Sequence, residues 1–194
     1  MATCPVCERH EFYQENDFDI CPVCGWENDG VQSSNHDYSG GANWLSVNKS
    51  KLVFSRLGES KIMVLATCTE NRPTARSMSC IMLGGYIYLQ TDRRFKKYEQ
   101  IKNNPSIALC FDNVQIEAKA ELCGHPLNPS NAKFAKAFEE HFKASFDAYS
   151  HLKDEVLIKC TTTKITFWEY IEGNAFRRTF DYENHREALE EYKA

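Results

Sequence analysis

Two short cysteine pairs constrain this chain more than any other feature. Cys4-Pro-Val-Cys7 and Cys21-Pro-Val-Cys24 are near copies, with 13 residues between Cys7 and Cys21. Two thiols three residues apart in a tight turn can aim both sulfurs at one ion, and a second such turn completes a tetrahedron. Gly25 follows the second pair and permits a left-handed backbone there. A segment this short cannot build a sufficient apolar core, so a metal staple is the expected remedy. Cys4, Cys7, Cys21 and Cys24 are therefore read as the ligands. Zinc suits a closed structural site and is the first choice. Iron is the runner-up, because a rubredoxin-like site uses the same four thiolates. A redox-active cysteine pair would need a βαβ context, which is missing. With four thiolates filling the site, His10 and His36 are read as solvated loop residues.

The nine cysteines include five scattered ones: Cys68, Cys80, Cys110, Cys123 and Cys160. The chain starts Met1-Ala2-Thr3-Cys4-Pro5, with neither a basic stretch nor an apolar one. No signal peptide is visible there. An odd count in such a context argues against a disulfide framework. The scattered five are expected to be reduced, buried small hydrophobes, and the expected compartment is the cytoplasm. The longest apolar runs, such as residues 62–66, fall far short of a membrane span.

Charge divides the chain. Residues 1–48 carry eight acids and one base, a net of −7, whereas the remainder carries a net of +3. Apolar periodicity is poor before residue 50 and strong after residue 60. Residues 33–51 are rich in Ser, Asn and Gly and read as loop and linker. The expected boundary lies near residue 48, giving a four-cysteine module over 1–48 and a second domain over 49–194. The overall net charge of −4 excludes a strongly basic nucleic-acid binder, and the −7 of the module opposes phosphate contact. Trp26, Tyr38 and Trp44 are candidates for the small core of the module or for packing on the second domain.

The second domain reads as mainly β, an antiparallel barrel with flanking helices. Strands are expected over 61–68, 74–82, 86–91, 106–111, 114–122, 156–160 and 164–170. Gly84-Gly85 is a hairpin dipeptide, and Val114, Ile116, Ala118, Ala120 and Leu122 recur with a period of two. Helices are expected over 95–102, stopped by Asn104-Pro105, over 130–151 and over the acidic tail 184–192. In the long helix Phe134, Phe138, Phe142, Phe146 and Tyr149 form one stripe, read as a core face. Arg76 lies inside a strand, Thr91 ends one, and Lys96 and Lys97 start a helix. This set can cradle a phosphate, because a helix N-terminus adds positive potential and free N–H groups. The plainer alternative is an exposed lysine pair and a strand-edge arginine. Tyr86, Tyr88 and His125 read as core or turn residues. No Ser-His-Asp, paired-carboxylate or His-Glu-x-x-His pattern is present, so no catalytic side chain is named.

Two resemblances add to this reading. Residues 4–48, through Cys21-Pro-Val-Cys-Gly-Trp-Glu-Asn-Asp-Gly and Gly40-Gly-Ala-Asn43, resemble the small bacterial cysteine-rich modules named for their Cys-Pro-x-Cys knuckles. Residues 60–180 resemble the pyridoxamine 5′-phosphate oxidase-like flavin-binding split barrels, in particular their general-stress-protein branch. The residues that carry this are Arg72-Pro-Thr-Ala-Arg-Ser-Met78, Tyr88-Leu-Gln-Thr91, Lys96-Lys97-Tyr-Glu-Gln-Ile101, Asn113-Val-Gln-Ile-Glu-Ala-Lys-Ala120 and Ile165-Thr-Phe-Trp168. The resemblance implies FMN bound at a homodimer interface. Arg76, Lys96 and Lys97 would hold its phosphate. The Ser77 and Met78 backbone, with Gln90 and Thr91, would border the ring and ribityl chain. Asn113 stands where the family usually has Gln and would reach the flavin from the partner subunit. Trp168 and Arg178 match the late Trp and Arg of the family. Ala118 replaces a Gly. The substrate-phosphate residues of the vitamin B6 oxidase itself have no clear counterpart.

Three functional readings follow. The first is an FMN-dependent oxidoreductase acting on a small electrophile. The second is a flavin- or haem-binding carrier or sensor without turnover. The third is a zinc-ribbon adaptor whose barrel only dimerises it.

Overall fold

The computed structural model describes residues 1–14 and 16–193, in two compact units. The first comprises Met1–Lys61 with the hairpin tip Met82–Tyr86. The second takes the rest of the described chain.

In the first unit, β1 (Ala2–Thr3) pairs antiparallel with β2 (Glu11–Phe12). A short helix, α1 (Gly30–Ser34), follows the second cysteine knuckle. Its cap is Asp29, which accepts from the Val31 and Gln32 backbone N–H groups. Ser46 caps α2 (Val47–Leu57) by accepting from the Lys49 N–H, and Gly58 ends it with φ of 67°. The expected linker 33–51 is therefore not all loop. The serine that looked like loop composition is a helix cap, and α2 begins inside that stretch. Val6, Phe12, Trp26 and Val47 pack with three of the cysteines in a small core. Trp26 is buried, Trp44 half-buried, and Tyr38 is 43% exposed, outside that core.

Between α1 and α2 the backbone has no ladder of its own. A fully buried amide supplies the missing partners. Gln32 Nε2 donates to the carbonyls of Tyr38, Asn43 and Leu45 at 3.2, 2.8 and 3.1 Å. Its Oε1 accepts from the Asn43 backbone N–H at 2.9 Å and from Asn43 Nδ2 at 3.0 Å. A buried backbone group left unpaired costs a substantial desolvation penalty, so this one side chain makes the loop foldable.

The second unit is a closed antiparallel barrel. Its strands are β3 (Ser60–Thr69), β4 (Arg72–Leu83), β5 (Tyr86–Asp92), β6 (Ser106–Phe111), β7 (Val114–Leu122) and β8 (Glu155–Ile171). The order β8-β5-β4-β3-β6-β7 closes through a β7–β8 pairing, and β9 (Asn174–Asp181) and β10 (Arg186–Glu191) extend beyond β8. Helix α3 (Lys96–Asn103) links β5 to β6. A 3₁₀ turn (Pro129–Asn131), α4 (Ala132–His141) and α5 (Lys143–Tyr149) link β7 to β8. Along β7, Val114, Ile116, Ala118 and Ala120 are buried while Gln115, Glu117, Lys119 and Glu121 are exposed, the alternation a half-buried strand requires. Leu65, Leu89, Leu109, Ile116, Ile158 and Phe167 fill the interior.

Several expectations change. The strands expected over 156–160 and 164–170 are one strand of 17 residues. The intervening Thr161-Thr162-Thr163 is β-branched and favours extended backbone. The tail expected as an acidic helix is strand β10, paired with β9 in a register that sets Glu190 opposite Arg177. Glu190 pairs with Arg177, and Glu187 with Arg178 at 2.5 Å. Cross-strand charge pairing here outweighs helix propensity. The long helix breaks at Phe142, where ψ is 48°. Phe134 and Phe138 are buried, Phe142 and Phe146 half-buried, and Tyr149 is 54% exposed. Steps of four residues rotate the stripe by about 40° each on an α-helix, so it cannot keep facing the barrel. Of the scattered cysteines, Cys80 and Cys160 are buried as expected, Cys68 and Cys123 are half-buried, and Cys110 is exposed. Cys110 shares the outward phase of β6 with Ser106 and Ala108.

Replacing Gln32 with Ala is expected to destabilise the first unit by about 2–4 kcal/mol, read as lost amide-exchange protection over residues 35–46 while the barrel strands keep theirs. Unchanged protection in that loop would contradict the role given to Gln32.

Candidate functional site

The two knuckles repeat in space as they do in sequence. The first cysteine of each donates its N–H forward, Cys4 to the His10 carbonyl and Cys21 to the Trp26 carbonyl, both at 2.8 Å. The carbonyl of each accepts from the fourth residue on, Glu8 at 3.0 Å and Gly25 at 2.9 Å. Those two residues hold matching positive φ angles, 58° and 81°. Glycine is needed at the second, since a Cβ on Gly25 would lie 2.7 Å from Gly85 Cα. The four sulfurs that result lie within 4.8 Å of one another. Cys4–Cys24 and Cys7–Cys21 approach to 3.6 and 3.5 Å. A tetrahedral ion with Zn–S bonds of ~2.3 Å sets its ligands about 3.8 Å apart, so this cluster is compatible with one. Hydrogen bonds from Cys24 and Cys4 push the Cys21 thiol down to about 2, whereas burial pushes Cys7 up to about 12. His10 instead packs edge-on against Phe12 at 5.0 Å.

The barrel holds a second polar centre. Arg76 lies on β4, half-buried, and its guanidinium is gripped from one end. Nη1 donates to the Leu65 carbonyl at 3.2 Å and to Thr67 Oγ1 at 2.8 Å, and Nη2 donates to Thr74 Oγ1. Lys97, in the first turn of α3, sits with Nζ 4.3 Å above the Phe95 ring. Burial and then the charge of Arg76 lower its affinity for a proton. Lys96 beside it is exposed. Next to Thr91, Asp92 is held down to about 2 by hydrogen bonds from Arg94. Glu155 faces Asp92 across the β5–β8 ladder, and burial, then the Asp92 charge, raise it to about 7 against the pull of Lys97. Thr91 is 2% exposed and its hydroxyl has no hydrogen-bond partner. Gln90 is buried beside it, its Oε1 accepting from Ser150 Oγ at 2.9 Å. Ser77 is exposed and Met78 half-buried on β4.

The remaining sequence candidates lie together elsewhere, on β8, β9 and the turn before β7. Asn113 Nδ2 donates to the Trp168 carbonyl at 2.9 Å. The Trp168 ring meets Tyr192 edge-on at 5.6 Å. Arg178 is clamped by Glu169 at 2.7 Å and Glu187 at 2.5 Å. Asn113 and Trp168 line an open cavity of about 650 Å³ on the outer barrel face with Val64, Ala66, Cys110 and Glu117. The ten candidates therefore form two groups. His125 closes a turn, with Nε2 at 3.0 Å from the Leu152 carbonyl and Nδ1 accepting from the Leu127 N–H. Tyr88 packs on Phe134 at 6.1 Å. Sequence reasoning missed Gln100, which is 1% exposed, and Glu155. Gln100 lies inside the Lys96–Ile101 motif, but there the lysines alone were given a role.

Comparison with known proteins bears on residues 2–169. Residues 2–74 match the family model described as cysteine-rich CPCC. Residues 51–169 match the one described as pyridoxamine 5′-phosphate oxidase. A search of curated proteins gives no match. Among solved structures, Campylobacter jejuni ChuZ is 16% identical, with 68% of this chain and 58% of that one covered and a TM-score of 0.54. The haem storage protein HutZ of Vibrio cholerae is 15% identical over 58% of this chain and 87% of its own, with a TM-score of 0.50. General Stress Protein 26 of Bacillus anthracis is 18% identical over 59% and 89%, with a TM-score of 0.48. No helix of the described residues is long and apolar enough to cross a membrane. The family model spans most of the barrel, and the chain belongs to the pyridoxamine 5′-phosphate oxidase family, with a cysteine-rich CPCC segment at its N-terminal end.

Proposed function

We propose that this protein is an FMN-binding flavoprotein that works as a homodimer, with the flavin at the subunit interface. In this reading it is an oxidoreductase that passes electrons from a reduced nicotinamide to a small electrophile. The observation that carries the reading is the centre around Arg76 and Lys97. Two cations share a partly buried site, and the neighbouring Thr91 hydroxyl is buried without a partner. Cations crowded out of water lower each other's stability, and an anion placed between them relieves it. A phosphate suits the site because it accepts from both cations and from the N-terminal N–H groups of α3.

FMN, when bound, supplies the hydride and electron chemistry. Arg76, Lys96 and Lys97 hold its phosphate. Ser77 and Met78 backbone, Gln90 and Thr91 border the ring and ribityl chain. Asn113 approaches from the second subunit, and Trp168 and Arg178 match the late Trp and Arg of the family. Positive charge near the ring favours the reduced, anionic flavin. The four-thiol module over residues 1–48 binds zinc, with iron as the alternative ion, and serves stability or protein contact. The protein acts in the cytoplasm, away from nucleic acid and membranes.

A second reading has its own support. Two barrels that resemble this one at TM-scores of 0.50 and 0.52 are described as haem storage and haem binding proteins. A haem carrier needs an axial ligand; among the described residues no histidine stands in the Arg76–Lys97 centre, and His125 has both ring nitrogens engaged in its turn. Flavin is therefore preferred.

Replacing Arg76 with Ala is expected to weaken FMN binding roughly thirtyfold, measured by quenching of flavin fluorescence in a titration of the flavin-stripped protein. Unaltered affinity would contradict the phosphate cradle. Elemental analysis of the purified chain is expected to find about one zinc per chain, lost in Cys21→Ser. A parent protein free of bound metal would contradict the thiolate site.

A further inference from the structure

Gln100 anchors a polar relay between α3 and the strands β3 and β4. Its side chain is 1% exposed on α3. Nε2 donates to the Arg72 carbonyl at 3.1 Å, and this fixes the amide so that Oε1 faces β3 and β4. There Oε1 accepts from Thr67 Oγ1 and from Thr74 Oγ1, both at 2.7 Å. A hydroxyl has one proton to give and two lone pairs to receive with. Both threonine protons are committed to Gln100, so both oxygens turn acceptor faces toward Arg76. The guanidinium takes them end-on, through Nη1 and Nη2, with the Leu65 carbonyl as a third acceptor. Arginine has five N–H donors in a rigid fork. These three bonds leave Nε–H and one Nη2–H, the side fork that grips an oxyanion bidentately.

We propose that Gln100 is the positioning residue of the cradle: through Thr67 and Thr74 it aims the side fork of Arg76 at a phosphate monoester, and so sets the preference for phosphorylated over unphosphorylated flavin. The inference rests on Arg76 as the phosphate ligand. Without the amide acceptor the two hydroxyls are no longer held with their lone pairs toward the guanidinium. Two of the three anchors of Arg76 then slacken while the rest of the flavin site stays as it was.

The test uses two probes, FMN and riboflavin, titrated against flavin-stripped full-length protein. The variants are Gln100→Met, which keeps the volume without an acceptor, and the isosteric Thr67→Val. Each is made alone and combined with Arg76→Ala. Gln100→Met and Thr67→Val are expected to weaken FMN roughly tenfold, as loss of hydrogen bonding to a charged group does, and to leave riboflavin within about twofold. With Arg76→Ala already present, neither is expected to weaken FMN further. Equal losses for both flavins, or a loss that persists in the Arg76→Ala background, would overturn the positioning role. A parent protein that binds both flavins alike, with Arg76→Ala changing neither, would instead overturn the phosphate reading itself.

Discussion

Strand β8 is bonded on both edges, and the barrel depends on that double pairing. One edge pairs with β7 from Leu122–Ile158 to Val114–Phe167. The other pairs first with β5, from Asp92–Glu155 to Ile87–Cys160, and then with β9 from Lys164 onward. A strand that changes partner along one edge must bend, and the register shift at Glu117/Ala118 on β7 is where it does so. Closure removes the free edges that an open sheet would expose. It also places chemistry at both ends of β8. Glu155 is set beside Asp92 at its start, and Trp168 and Glu169 neighbour β9 near its end, where Arg178 is clamped.

The two units meet the same problem with different means. The barrel buries Leu, Ile and Phe side chains from its strands in one core. The N-terminal unit has two-residue strands and a five-residue helix. It relies on four converging thiols, on one buried amide at Gln32, and on glycine at a position where a Cβ would collide with backbone. Such small modules fold where a cross-link or ion replaces missing apolar area.

Much of this was legible in the sequence because local chemistry set it. The knuckle spacing determined the thiol cluster, the Gly84-Gly85 pair the β4–β5 hairpin, and the strict alternation from Val114 to Ala120 the strand β7. What was illegible depended on partners distant in the chain. The acidic tail has helical composition, and only Arg177 and Arg178 on β9 make it a strand. The break at Phe142 and the exposure of Tyr149 follow from where the barrel surface ends, which periodicity does not encode. In the candidate site, the arginine and the lysines carry charge and drew notice. The group that orients the arginine, Gln100, is neutral and acquires its meaning only when Thr67 and Thr74 are brought to it from 33 and 26 residues away.

The central claim is that the barrel carries FMN. The most direct measurement is the visible absorption spectrum of freshly purified protein, repeated after acid release of the bound ligand. The account predicts flavin bands that move to those of free FMN on release. A spectrum that is featureless, and stays so after FMN is added, would contradict it, and a sharp Soret band would assign the site to haem instead.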